Sequence, residues 1–346
     1  MKQQQGTGVS HRMKDSIKKR QTQLISKRYG NPGQSVKVVV VVGTNGKTTT
    51  ARYLNEMLLN DEQSTALLVP DEDTSLGIKR TQLFLRDAKK NNVKYAIIVL
   101  GFDDIRGYSL GSSLLETVIV TNISETRHAT IVEQLESLKQ LLETTPRYMW
   151  LNHDDESCDE LGDVQAASKM SYGVHADAEA HIDDVKLYKK GSELKLVIDH
   201  QTKLRLATYL VGEANVLNLT SAVTALYIMG ESILTVDEGA ARLEEAPTNY
   251  EYITAPTPYR VVLDAAPNDA ALQQVVATTL ALAPRRTIVA VQADSLSEAC
   301  IEVVSEKVDR LIVIDVNDLQ PNRGTVEQIV LPQAAVKLAL RTARQE

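Results

Sequence analysis

The sequence predicts a doubly wound α/β fold, a parallel sheet with helices on both faces, carrying a small antiparallel insertion and followed by a second, smaller α/β domain. Three observations carry this. Val36 to Val42 is an almost continuous valine run broken only at Lys37, as expected of a strand buried on both faces. The loop Gly43-Thr44-Asn45-Gly46-Lys47-Thr48 joins that run directly to a segment with apolar residues at helical spacing, Ala51, Leu54, Met57 and Leu58. Strands and helices then keep alternating, the order that winds into a parallel sheet.

Taken along the chain, Asp15 to Tyr29 predicts a short basic helix, ended by the turn-forming Gly30-Asn31-Pro32-Gly33. The first dozen residues are expected to be disordered, so 1–35 reads as a basic, partly disordered segment. Further strands are predicted at Tyr95 to Leu100, Thr117 to Thr121 and Tyr148 to Leu151, with a helix over Ile131 to Leu142. From His181 to Leu210 the pattern shortens to alternating segments, Ile182 to Tyr188, Leu194 to Ile198 and Leu204 to Tyr209, which predicts an antiparallel meander. Helices over Asn215 to Met229 and Val236 to Leu243 complete a domain spanning 36–247. Pro256 and Pro258 mark a linker. The domain 248–346 then holds strands at Arg260 to Asp264, Thr287 to Gln292 and Arg310 to Asp315, with helices over Asp269 to Leu282 and Ser297 to Lys307, the Rossmann-like alternation.

Composition narrows the function classes. With 43% hydrophobic and 24% charged residues and a net charge of −7, the 346-residue chain has no overall attraction to nucleic acid, and scarce aromatics argue against base stacking. Cys158 and Cys300 lack the paired spacing of a zinc or redox motif, which fits a reducing, cytoplasmic setting. No apolar run reaches the roughly 18 residues of a membrane span, and no secretory signal pattern opens the chain.

The glycine loop carries the chemistry. Gly43 and Gly46 let the backbone curl around an anion, and the helix that follows adds its positive end, a phosphate site of the P-loop kind. Lys47 would neutralise phosphate charge, and Thr48 would offer a hydroxyl to the Mg2+ that accompanies ATP. The loop is a shortened variant, because Val41 and Val42 stand where the longer form has a further glycine.

The loop with Thr49 and Thr50 resembles that of the Mur ligase family, which includes the folylpolyglutamate synthases. Three further segments are similar, in order: Val120-Thr121-Asn122-Ile123-Ser124, Gly212-Glu213-Ala214-Asn215-Val216-Leu217-Asn218, and Asp264-Ala265-Ala266-Pro267-Asn268-Asp269. The resemblance implies an ATP-dependent ligase that phosphorylates a carboxylate and lets an amine attack the acyl phosphate. It implies that Gly43, Thr44, Asn45, Gly46, Lys47, Thr48 and Thr49 hold phosphates, and that Asn215 and Asn218 lie on the adenine side. Asp264 would close on the nucleotide from the last domain, His128 would ligate metal beside Thr48, and Lys139 would be the lysine that is carbamylated to ligate a second ion. Partners implied are a small-molecule acid and amine, with a cell-wall precursor favoured by Thr48-Thr49-Thr50.

The departures from the family pattern leave a second reading open. Where the family has a metal-binding glutamate the strand carries Val99, with Asp103 or Asp104 as the nearest substitutes, and Pro267 replaces a histidine. A relative that binds ATP without ligating, acting as a regulator or scaffold beside a protein partner that supplies missing groups, fits those losses. A small-molecule kinase would explain the loop but not the later segments.

Overall fold

Strand β1 (Lys37–Val42) is the spine of the molecule, and its composition explains why. The computed structural model describes residues 5–59, 64–70, 75–126, 129–233, 236–243, 250–253, 260–292, 296–314 and 326–328. Successive side chains of a strand point to opposite faces. Val39 and Val41 therefore enter one hydrophobic cluster, while Val38, Val40 and Val42 enter another across the sheet. All five are fully buried, so the run is continuous where a half-exposed strand would alternate.

Parallel neighbours flank β1 on both sides, β3 (Tyr95–Val99) and β4 (Leu115–Val120). Beyond β3 lies β2 (Thr65–Leu68). Beyond β4 come β5 (Tyr148–Asn152), β6 (Ser168–Gly173), β7 (Ala180–Tyr188), β8 (Gly191–Ile198) and β9 (Thr202–Thr208), in the order β2-β3-β1-β4-β5-β6-β7-β8-β9. The pairing is parallel as far as β7 and antiparallel from β7 to β9. The expected meander is thus present, and it continues the edge of the main sheet.

One face of this sheet is covered by α2 (Lys47–Leu58), α7 (Glu213–Ile228) and α8 (Val236–Arg242), through Leu54, Met57, Leu219, Val223 and Ala240. The other face is covered by α3 (Gly77–Lys90) and α5 (Ile131–Leu142) with the short α4 (Phe102–Arg106) and α6 (Glu156–Asp159), through Leu85, Ile105, Leu138 and Cys158. α5 occupies the residues predicted for it. Its start is fixed by a capping box in which Thr130 accepts from the Glu133 N–H and Glu133 accepts from the Thr130 N–H.

Ahead of the sheet, α1 (Gln5–Arg28) begins ten residues before the expected start of the basic helix at Asp15, within the stretch expected to be disordered. Its inner face docks on the body: the Ser26 hydroxyl donates to Gln82 Oε1 at 2.9 Å and lies 2.8 Å from Ser112 Oγ, and Thr22 is buried.

The chain after 250 builds smaller units. β10 (Glu251–Ile253) and β11 (Val261–Leu263) form an antiparallel ribbon, so the strand predicted at Arg260 to Asp264 stands outside the parallel sheet to which the sequence assigns it. That sheet consists of β12 (Ile288–Gln292), β13 (Arg310–Ile314) and β14 (Val326–Gln328). α9 (Asp269–Ala281) and α10 (Glu298–Lys307) pack on it around Leu272, Val276, Val304 and Leu311. The linker prolines Pro256 and Pro258 lie outside the described residues.

Candidate phosphate-binding site

At the carboxyl end of β1 the chain must turn sharply into α2, and two glycines make this possible. Gly43 has φ +136° and Gly46 has φ +78°, conformations that side chains with a Cβ rarely adopt. Gly43 is also crowded: a Cβ there would overlap Thr121 Oγ1 and come within 2.8 Å of the Asn122 carbonyl oxygen.

The loop is held from the end of β4. The Thr44 N–H donates to the Asn122 carbonyl at 2.9 Å, and the Asn45 N–H to Asn122 Oδ1 at 2.8 Å. The Asn45 carbonyl accepts from Thr121 Oγ1 at 2.6 Å and from Asn122 Nδ2 at 3.1 Å. Thr44 Oγ1 accepts from the Ser124 N–H and lies 2.9 Å from Gln134 Oε1 on α5. Asp155 locks the same strand end from behind, accepting the Ile123 N–H at 2.5 Å. Thr121 and Asn122 fall within a segment that the sequence singles out by resemblance without giving them a role; Gln134 and Asp155 carry no motif and were legible only from their contacts.

With the loop fixed in this way, the open donors are at the start of α2. Its N-cap is Gly46, which supplies no side-chain cap, whereas α5, α9 and α10 are capped by Thr130, Asn268 and Ser297. The first N–H groups of a helix have no partner within it and carry its positive end, so an uncapped start is suited to an anion. Lys47 stands at that start, half-buried, with its ammonium donating to the Thr44 carbonyl at 2.7 Å. Loss of hydration lowers its pKa from 10.5 to about 8. Thr48 is half-buried and its hydroxyl has no hydrogen-bond partner among the described residues, while Thr49 is buried.

Asn218 on α7 approaches this loop. Its Oδ1 accepts from Thr50 Oγ1 at 3.3 Å and occupies the space that a Cβ on Gly46 would need. Asn215 turns to its own helix start and donates to the Val211 carbonyl at 2.8 Å. From the later chain, Asn268 reaches the loop in a reciprocal amide pair: Asn45 Nδ2 donates to Asn268 Oδ1 at 3.2 Å, and Asn268 Nδ2 to Asn45 Oδ1 at 3.0 Å. The same Asn268 Oδ1 caps α9 by accepting the Ala271 N–H at 3.0 Å. Asp264, four residues earlier, accepts the backbone N–H groups of Tyr250 and Ala266 at 2.7 and 2.8 Å, and burial raises its pKa above the usual carboxylate value. Asn268→Ala is expected to cost about 1–2 kcal/mol, the usual value of a lost N-cap, and to loosen α9 from the loop. Hydrogen exchange of the first turn of α9 checks this.

Other candidates are placed elsewhere. Lys139 is exposed on α5 and pairs with Glu160 at 3.7 Å, beyond the turn that carries Gln134. His128 lies outside the described residues. Val99 is fully buried beside Val41 in the sheet, so its side chain belongs to the core. Neither neighbouring aspartate replaces a glutamate there. Asp104 is buried and accepts from Ser75 Oγ at 2.6 Å and the Gly77 N–H at 3.1 Å, which spends it on the start of α3, and Asp103 is exposed in an ion pair with Arg106 at 2.9 Å. Among the described residues no group of three or more His, Cys, Asp or Glu side chains could hold a metal ion, and the donor these residues place at the loop is the Thr48 hydroxyl, which would fit an ion held mainly by nucleotide phosphates.

The model of the Mur ligase middle domain matches residues 41–226, from the end of β1 through α7. The chain belongs to the Mur ligase family. Among its relatives, the UDP-N-acetylmuramoyl-L-alanyl-D-glutamate--2,6-diaminopimelate ligase of Halalkalibacterium halodurans is 23% identical over 282 residues, covering 75% of this chain and 57% of that one. The ligase of the same name from Geobacillus kaustophilus is 24% identical over 287 residues, covering 76% and 58%. The chain thus spans somewhat over half the length of the curated relatives it matches. Among solved structures, a folylpolyglutamate synthase of Mycobacterium tuberculosis complexed with ADP superposes with a TM-score of 0.75 at 15% identity, covering 98% of this chain and 91% of that one. The MurF ligase of Thermotoga maritima in complex with ADP gives 0.69 at 16%, covering 94% and 77%. At these identities the superpositions establish a shared fold, the mixed α/β architecture of Mur ligases.

Proposed function

We propose that this Mur ligase family member binds ATP with Mg2+ at the β1–α2 loop and uses it to join a carboxylate to an amine through an acyl phosphate. The observation that carries the reading is the uncapped start of α2 with Lys47 and Thr48 beside it, on a loop whose Thr44 and Asn45 N–H groups are already held by Asn122. The backbone of Gly43 to Thr49 would cradle the phosphates, Lys47 would offset their charge, and Thr48, with His128, would serve Mg2+. Residues 36–247 would act as the ATP-binding domain and 248–346 as the last domain, from which Asp264 and Asn268 would approach the nucleotide. ATP supplies the phosphoryl group; the chain's contribution is to hold the anionic reactants in line and exclude water. A cell-wall precursor is the favoured acid, since the relatives matched along most of this chain are named for ligating a UDP-N-acetylmuramoyl peptide.

A second reading follows from Val99 and Asp104, which leave the expected metal carboxylate without a substitute. In it the chain binds ATP but ligates little, and regulates or scaffolds a protein partner. ADP release from Mg-ATP, measured with pooled candidate acids and amines beside a Lys47→Ala control, separates the two. Release requiring both acid and amine, and absent from the control, supports ligation. ATP bound without release under any combination favours the scaffold.

A further inference from the structure

α1 is docked by one face and bare on the other. Lys19, Thr22 and Ser26 follow each other at helical spacing along the inner face, where Ser26 meets Gln82 and Ser112 and Lys19 pairs with Glu143 at 3.1 Å. Ile17 and Leu24 are seven residues apart, hence nearly in line along the helix, and Leu24 sits two residues from Thr22, roughly opposite it. They are 51% and 66% exposed, the two largest apolar exposures among the described side chains of this helix. Basic residues frame them: Arg20 lies one turn after Ile17 and one turn before Leu24, and Lys27 and Arg28 lie one turn beyond Leu24. All three are exposed, and none forms an ion pair among the described residues. The helix carries seven Lys or Arg against one acid, in a chain whose net charge is −7.

An apolar line framed by unpaired positive charge, on a helix anchored by its opposite face, has the chemistry of a surface that rests on anionic lipid. We propose that the outer face of α1 binds the surface of an anionic bilayer, with Ile17 and Leu24 entering the boundary below the headgroups and Arg20, Lys27 and Arg28 meeting lipid phosphates. The attachment is peripheral, because no helix among the described residues is long and apolar enough to cross a membrane. A nucleic acid would use the charges but gain nothing from Ile17 and Leu24, which favours lipid. This inference does not depend on ligase activity; it would bring whatever the phosphate loop acts on to the membrane face.

The test is co-sedimentation of the full chain with vesicles of phosphatidylcholine alone or mixed with phosphatidylglycerol, with ATP binding measured on each variant to confirm an intact body. Binding is expected only to the anionic vesicles, weakening as salt is raised. Ile17→Glu with Leu24→Glu is expected to reduce it by about tenfold or more, since both the apolar contact and the local charge are lost. Arg20→Glu with Lys27→Glu is expected to abolish it. No binding by the wild-type chain would overturn the proposal. So would apolar variants that bind as well as wild type, or a single-stranded RNA bound more tightly than the vesicles. Concentration-dependent dimerisation lost in the charge variants, without vesicle binding, would assign the face to a second copy instead.

Discussion

Lys47→Ala is expected to weaken ATP binding by about a hundredfold or more while leaving the unliganded protein at least as stable as wild type. Without nucleotide the Lys47 ammonium has one partner among the described residues, the neutral Thr44 carbonyl, and is desolvated enough to bring its pKa down to about 8. A positive charge held so poorly does little for the empty protein, so its removal should not lower the melting temperature. With polyphosphate present, the same group makes charge-assisted hydrogen bonds worth about 1.5–3 kcal/mol each. Calorimetric titration of ATP beside a thermal melt of the unliganded variant reads both halves. A variant that loses binding together with stability would show that Lys47 is structural.

The depressed pKa gives a pH signature as well. Phosphate charge raises the lysine pKa in the complex above its value in the free protein, so between about pH 8 and the complex value, binding must take up a proton. ATP affinity is therefore expected to be level with respect to this group below pH 8 and to fall as pH rises above it. The trend should disappear in Lys47→Ala. Folding has the opposite slope: the folded pKa lies below the unfolded 10.5, so the lysine's contribution to stability improves as pH rises from about 8 toward 10.5.

Gly43→Ala is the second large effect, expected to abolish measurable ATP binding and to lower stability by several kcal/mol. The new methyl would be forced to a φ of +136° and against both Thr121 and the Asn122 backbone. Thr121 could rotate away only by giving up its bond to the Asn45 carbonyl, and the backbone of Asn122 is fixed by its bond from Thr44. Overpacking alone costs about 1–3 kcal/mol, and the positive φ adds about 1–2 kcal/mol for a residue with a Cβ. Urea unfolding and nucleotide titration of the variant would measure the two losses. Native-like binding would mean that the loop is softer than its hydrogen bonds imply.

The sequence conveyed the sheet's centre and the phosphate loop because their signals are local. A valine run and two glycines with a lysine each sit within a few residues. It did not convey β2, which is short and half-buried at the sheet edge, nor β6, whose Ser168-Lys169-Met170-Ser171 lacks strand alternation. α3, opening with Gly77 and capped by Asp104 from α4, has no start signal of its own. The bracing of the site was only partly legible. Asn122 and Asn268 lie in segments that the resemblance singles out without a role, whereas Gln134, which meets Thr44, and Asp155, which holds the Ile123 N–H behind the loop, sit in no motif.

The five valines of β1 have one more consequence. Since both faces of the strand are apolar, moving it by one residue would exchange one valine for another on each face, and the side chains could not tell the correct alignment from its neighbour. The alignment must be read from the ends. At one end Lys37 reaches Glu116 and the Tyr95 hydroxyl; at the other, only the residue without a side chain fits beside Thr121 and Asn122. The stretch offered to the phosphates is therefore also the marker by which the central strand finds its place while the sheet assembles.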